Sequence, residues 1–288
     1  MYAVKLSDTS AFVTLLAGRE VHTSPHALRY LNMMDLSPGE GLIRKCLRVW
    51  PHLDQLVKNR KRCILDETLE CLSGGIGQMV ILGSGIDTLS LEVATRTEGV
   101  VVYELDTDNM DVKRRLLDEA APDVADRIRC VTADLGRPSE AAARAAEAGW
   151  RADVPSVLVL EGVSYYLGER TLWDTIRWFG AGSENHIILE YMVPPGSIEP
   201  ERAHIPDDVF DTIGEYLSDR LDIYRLDHNT VQKRAAEIGG RVVRRHTMHS
   251  MEILRTGATR HFPTERSGWI EVCRMRTRPI PGRTRGGP

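Results

Sequence analysis

Two kinds of apolar run alternate through the middle of the chain. Short, nearly continuous runs at 79–82, 100–105, 128–132, 157–160 and 186–191 read as strands, and segments at 87–96, 108–119, 139–148 and 168–179 carry apolar residues at helical spacing. In the last of these, Leu172, Trp173, Ile176 and Phe179 share one face. Strands that are apolar on both sides belong in a parallel sheet covered by helices on both faces, so the pattern predicts a doubly wound α/β fold. Ahead of it, helices are expected at 10–21, 25–34, 42–50 and 62–72; Leu42, Ile43, Cys46, Leu47 and Trp50 mark the third. After it, 207–219 is an acidic helix with Val209, Phe210, Ile213, Tyr216 and Leu217 on one side, and Thr230 caps a helix running to Ile238. Alternation at 241–247 and 269–275 predicts a hairpin-like antiparallel pair closing the sheet, and disorder is expected over 278–288, rich in Arg, Gly and Pro. The expected arrangement is one domain over 1–277: a helical preface (1–72), a core (73–192), an insertion (193–225) and a C-terminal part of the core (226–277).

The stretch 78–106 carries the first chemistry. A strand runs into Gly83-Ser84-Gly85, a helix follows, and a second strand ends on Asp106. A helix opening after such a turn offers free N–H groups, and an acid about 20 residues on, at the next strand end, can take both hydroxyls of a ribose. The third glycine of a dinucleotide fingerprint falls on Thr88, which argues against a nicotinamide cofactor and for a nucleoside cofactor without a pyrophosphate, such as S-adenosylmethionine. Gly83, Asp106, Asp134 and Glu161 all stand at strand ends, where ligands bind in such sheets, and are expected to converge on one crevice, Asp134 near the adenine. Tyr165 and Tyr166 are candidates to flank a methyl donor beside Glu161 or to fill the core, with one expected in each role.

Four segments in order resemble the leucine carboxyl methyltransferase-like family of class I S-adenosylmethionine-dependent methyltransferases, which includes tetracenomycin O-methyltransferase-like enzymes. They are Gln78 followed by VILGSGIDT, Glu104-Leu105-Asp106 ahead of Lys113, Asp134-Leu135, and Glu161-Gly162-Val163-Ser164-Tyr165-Tyr166-Leu167. The likeness covers about residues 60–179 and weakens at the ends; where many relatives carry Arg after Asp-Thr, this chain has Leu89. The resemblance implies a Rossmann-like methyltransferase sheet, mostly parallel with an antiparallel C-terminal strand, a helical lid and a helical insertion after the fifth strand that builds the acceptor site. It further implies S-adenosylmethionine as cofactor, with Gly83, Gly85, Asp106, Asp134, Leu135 and Glu161 around it and one of the basic cluster Arg60, Lys61 and Arg62 on its carboxylate, the register favouring Lys61 or Arg62 without deciding. Tyr165, Tyr191 and Phe210 are the candidate acceptor contacts. No His falls in the matched segments, the nearest being His186 and His228, so no base is apparent for a phenol or alcohol. A carboxylate arrives already deprotonated, and relatives methylate such groups, so a carboxylate on a small natural product is the expected acceptor. A phenolic acceptor, a nicotinamide oxidoreductase and a non-catalytic binder of the cofactor remain alternative readings.

Composition narrows the partners. With a net charge of −4 over 288 residues the chain has no field suited to nucleic acid. Five scattered cysteines without a C-x-x-C pair point to reduced thiols and a cytoplasmic setting, and no apolar run is long enough to span a membrane. The partner is a small-molecule acceptor, and a homodimer stays open. His246 and His249, three apart on an expected strand, point to opposite faces, which argues against a metal.

Overall fold

The computed structural model describes residues 4, 5, 8–218 and 221–278. The tail expected to be disordered therefore lies, apart from Arg278, outside the described residues. Seven strands form one sheet: β1 (Gln78–Leu82), β2 (Val101–Asp106), β3 (Ile128–Thr132), β4 (Val157–Leu160), β5 (His186–Met192), β6 (Gly240–His246) and β7 (Ile270–Thr277). Their order across the sheet is β3-β2-β1-β4-β5-β7-β6, with β1 to β5 parallel and β7 antiparallel to both neighbours. The chain starts at the centre, builds outward to β3, then returns to the other side of β1 with β4. Right-handed crossovers in both directions place the helices on opposite faces and open a crevice at the β1/β4 switch, beyond the strand C-termini. β1 and β4 are buried along their whole length, as the apolar runs at 79–82 and 157–160 require. Gln78 fastens them: its amide donates to the carbonyls of Arg151 (2.6 Å) and Val154 (2.9 Å) in the loop leading into β4.

Eleven α-helices pack around the sheet among the described residues. The preface comprises α1 (Asp8–Ala17), α2 (Pro25–Asn32), α3 (Glu40–Val49) and α4 (Leu53–Leu72), in which a Ser24 side-chain cap and Pro25 start α2. α4 is nine residues longer at its start than the sequence pattern indicates, because the polar residues at 54–61 lie on a helix that is buried on several sides rather than in a linker. It packs on β4, β5 and β7 and on α5 (Leu89–Arg96). After α6 (Met110–Ala120) and α7 (Pro138–Glu147), α8 (Ser164–Gly180) consists of helical turns on either side of Gly168, whose φ of 68° breaks the spiral. α9 (Ile205–Leu217) is the insertion helix. α10 (His228–Glu237) is capped by the Asp227 carboxylate on the Thr230 N–H (3.0 Å), which moves the cap from Thr230 to Asp227. The expected hairpin is also corrected: β6 and β7 pair antiparallel, but α11 (Met248–Thr256) lies between them. Its Thr247 cap was hidden inside a stretch read as strand.

Candidate active site

The turn after β1 needs its glycines for different reasons. Gly83 has φ +75°, and a Cβ there would stand 2.7 Å from the Val163 side chain. Gly85 has φ +49° and no heavy atom within 4 Å of where a Cβ would be, so the backbone is left open toward a cavity. That cavity, of about 370 Å³, is floored by Gly83, Ser84, Gly85 and Asp87, walled by Lys61, Arg60, Glu161 and Tyr165, and roofed by Val13 of α1 with Ile213 and Leu217 of α9. The turn is braced from behind. The fully buried Lys113 ammonium donates to Glu104 (2.6 Å) and to the Gly85 carbonyl (3.1 Å), and the Tyr30 hydroxyl donates to the Ile86 carbonyl (3.2 Å). Thr88, the position that opposes a dinucleotide, is buried and bonded to His22 Nδ1 at 2.7 Å.

A buried ionic group lines the wall. Lys61 bonds Asp87 and also Glu161, the latter at 2.9 Å. Burial works to raise the Asp87 carboxyl, but Lys61 beside it holds it below the usual carboxylate range. Glu161, buried with fewer compensating contacts, is pushed up. One residue back on α4, Arg60 donates through Nη1 to Glu190 (2.6 Å) and to the Tyr165 hydroxyl (3.4 Å), and the Gly162 N–H donates to Glu190 (2.7 Å). Burial opposes the Arg60 charge, yet Glu190, Tyr165 and Glu161 raise its pKa, so it stays a cation.

The expected site residues divide. Lys61, Gly83, Gly85, Glu161 and Tyr165 line the cavity. Asp106 stands at its edge, its carboxylate accepting from the Gly85 N–H (2.7 Å) and the Thr107 N–H (2.7 Å). Asp134 lines a second recess of about 180 Å³ with Thr107, Thr132 and Arg144, and accepts from the Gly136 N–H (2.7 Å), while Leu135 is buried beneath it. The four strand ends stand around two adjoining recesses, the open glycine turn in one and Asp134 in the other, with Asp106 between them. Arg62 is on the outer face of α4, half exposed and paired with Asp66, because each helical step turns the side chain by about 100°. Tyr191 is also off the cavity: it points to the opposite sheet face, where its hydroxyl meets Glu271 (2.5 Å) and His228 (3.2 Å). Alternation along β5 puts its neighbour Glu190 into the site instead. Both tyrosines of the 165–166 pair line the cavity, Tyr165 buried and Tyr166 half exposed, and Phe210 packs behind them with its ring 5.8 Å from that of Tyr165. His246 ends β6 and bonds Glu67 (2.8 Å), whereas His249 lies in α11 and bonds the Phe262 carbonyl (2.8 Å), so the two are not on one strand. Of the three basic residues 60–62 between which the sequence does not decide, Arg60 and Lys61 line the cavity; Glu190 and Lys113 were not singled out as site residues, and only the alternation of β5 could have found Glu190.

A family model for leucine carboxyl methyltransferase matches residues 14–180, which spans α2 to α8 and both walls of the cavity. The chain belongs to this family. A protein of Mycolicibacterium smegmatis named for S-adenosyl-L-methionine-dependent methyltransferase activity is 29% identical over 177 residues, covering 58% of this chain and 57% of that protein. The chain spans less than two thirds of the length of the curated relatives it matches, 57 to 63% for the first three. Among solved structures, a Thermobifida fusca protein named as a methyltransferase superposes with a TM-score of 0.65 at 14% identity, over 88% of this chain and 94% of its own. Magnesium protoporphyrin IX methyltransferase of Synechocystis, solved with bound S-adenosylhomocysteine, superposes with a TM-score of 0.51 at 12% identity, over 83% of this chain and 94% of its own. For this leucine carboxyl methyltransferase family member the two likenesses establish the shared sheet architecture. No described helix is long and apolar enough to cross a membrane.

Proposed function

We propose that the chain is an S-adenosylmethionine-dependent O-methyltransferase that esterifies a carboxylate on a small, largely apolar natural product. The observation that carries this reading is the Gly83–Gly85 turn, open over a cavity whose far side is apolar. The glycine backbone admits a nucleoside at close range, Asp106 is set for ribose hydroxyls once it leaves the Gly85 N–H, and the recess at Asp134 suits the base. Lys61 and Glu161 offer opposite charges to an amino-acid moiety. Bound there, S-adenosylmethionine supplies an electrophilic methyl group on a sulfonium. The protein's part is to hold the acceptor oxygen in line with the methyl–sulfur bond and to exclude water with α1 and α9. An oxygen–carbon bond forms as the carbon–sulfur pair returns to sulfur, giving a methyl ester and a neutral thioether.

One observation favours a second reading. Glu161 is buried in the cavity wall with a raised pKa, as suits a base that takes a phenolic proton. The product decides between them. Incubation with radiolabelled methyl donor and a panel of aromatic acids and phenols is expected to give a labelled product that releases methanol in mild base. A base-stable aryl ether would contradict the carboxylate assignment.

A further inference from the structure

Glu190 stands behind the cavity wall and holds two residues that line it. Its side chain is fully buried; one carboxylate oxygen accepts from Arg60 Nη1 on α4 (2.6 Å) and the other from the Gly162 N–H in the turn after β4 (2.7 Å). The backbone that carries it is itself fixed, because the Glu190 carbonyl accepts from the Ser164 hydroxyl at the start of α8 (2.5 Å) and the residue pairs with Val272 of β7. One carboxylate thus ties two walls of the donor cavity from the rear. We propose that Glu190 is a positioning residue for the donor's amino-acid end, holding the Arg60 guanidinium and the Gly162 backbone so that the remaining edge of Arg60 stays turned to the cavity. This rests on the methyltransferase reading above and adds to it a residue that acts without touching the donor.

The geometry of the guanidinium supports the assignment. Of the basic cluster expected on the donor's carboxylate, Arg62 is outside the cavity and Lys61 already bridges Asp87 and Glu161. Arg60 keeps an edge unspent. Among the described residues both of its hydrogen bonds leave from Nη1, to Glu190 and to the Tyr165 hydroxyl (3.4 Å), while Nε is buried with no hydrogen-bond partner and stands 3.9 Å from a Glu161 oxygen. The donors of a guanidinium lie in one plane, so a charge-assisted bond that pins Nη1 also sets the direction of the Nη2–Nε edge. Nη2 lies 3.8 Å from where a Cβ of Gly162 would be, and the φ of +68° there favours a residue without a side chain, which keeps the space beside Nη2 clear. A buried ion pair gains little stability over an apolar pair of the same size. Its effect here is on direction: a guanidinium already aimed spares the donor the cost of ordering it.

The test is a calorimetric titration of the full chain with S-adenosylhomocysteine and 5′-methylthioadenosine, two thioether nucleosides of which only the first carries the amino-acid end. Wild type is expected to bind the first more tightly by about tenfold or more. Glu190→Gln leaves one oxygen for two N–H groups and turns an amide N–H toward one of them. It should weaken S-adenosylhomocysteine by about tenfold and leave 5′-methylthioadenosine within about twofold. Glu190→Asp keeps the charge beside Arg60, which protects the fold, but is one methylene short of spanning both walls; it should show a smaller loss of the same kind. In an Arg60→Met background, Glu190→Gln should cost no further affinity, because no guanidinium is left to orient. Equal losses for both ligands would reduce Glu190 to a prop of the fold and overturn the proposal. Undiminished S-adenosylhomocysteine affinity in both Glu190 variants, a Glu190→Gln loss that persists without Arg60, or a wild type that does not distinguish the two ligands would overturn it equally. A wild type that binds neither ligand would instead sink the methyltransferase reading on which it stands.

Discussion

Lys113 enters the sequence only as the basic residue of a helix after Glu-Leu-Asp, yet its ammonium is fully buried between Glu104 and the Gly85 carbonyl. Replacing it with Met leaves Glu104 uncompensated at 0% exposure and is expected to cost about 3 to 5 kcal/mol of stability. Combining Lys113→Met with Glu104→Gln should recover most of that while leaving donor affinity about tenfold low, because the turn has lost its brace. Urea unfolding and donor titration of both variants measure the two effects separately; a double variant with full affinity would make Lys113 a purely structural ion. The glycines, Asp106 and Glu161 were legible because a strand end after an apolar run is visible in one dimension. Glu190 was not: it sits next to Tyr191, and only the phase of a period-two pattern tells which of the two faces the helix α4. In the same way Lys61 and Arg62 differ only by one helical step, which sends the first into the cavity and the second to Asp66.

At the scale of elements, α4 works as a latch between the loop after β1 and the ends of β4 and β5 through Lys61 and Arg60. Asp87 has its folded pKa below the ordinary value, so its contribution is present above the usual aspartate pKa of about 4 and is lost as pH falls through the folded value. Lys61 is raised: burial lowers it, Asp87 and Glu161 outweigh that, and its contribution is present below the usual lysine pKa of about 10. Glu161, raised by burial, works the other way, stabilising most at low pH and less as pH rises through its folded value. Asp87→Asn should therefore lower the urea midpoint at about pH 7 and narrow the gap to wild type at about pH 3. An equal loss at both would show that the pair does not carry the effect. The strands β3 and β4 could be read to the residue, since short apolar runs bounded by turn formers have little else to be. The start of α4 and all of α11 could not, because their burial comes from packing against each other.

For the whole molecule, the alternation of strand and helix gave a doubly wound sheet and its antiparallel end, and the strand order β3-β2-β1-β4-β5-β7-β6 places the crevice at the β1/β4 switch. The sequence pattern could not show that the strand ends feed two recesses, one with the open glycine turn and one with Asp134, because that depends on how Asp106 and Thr107 fold back between them. Nor could it show that α1 and α9, about 200 residues apart in the chain, line the same cavity. The central claim is that this cavity takes S-adenosylmethionine. Calorimetric titration of the full chain with S-adenosylmethionine, S-adenosylhomocysteine and NAD tests it most directly. Binding of the first two at micromolar level, no binding of NAD, and an Asp106→Ala variant that stays folded but loses about 2 to 4 kcal/mol of affinity for both are the predicted results. Binding of NAD without either adenosyl compound, or an Asp106→Ala variant with undiminished affinity, would contradict the account.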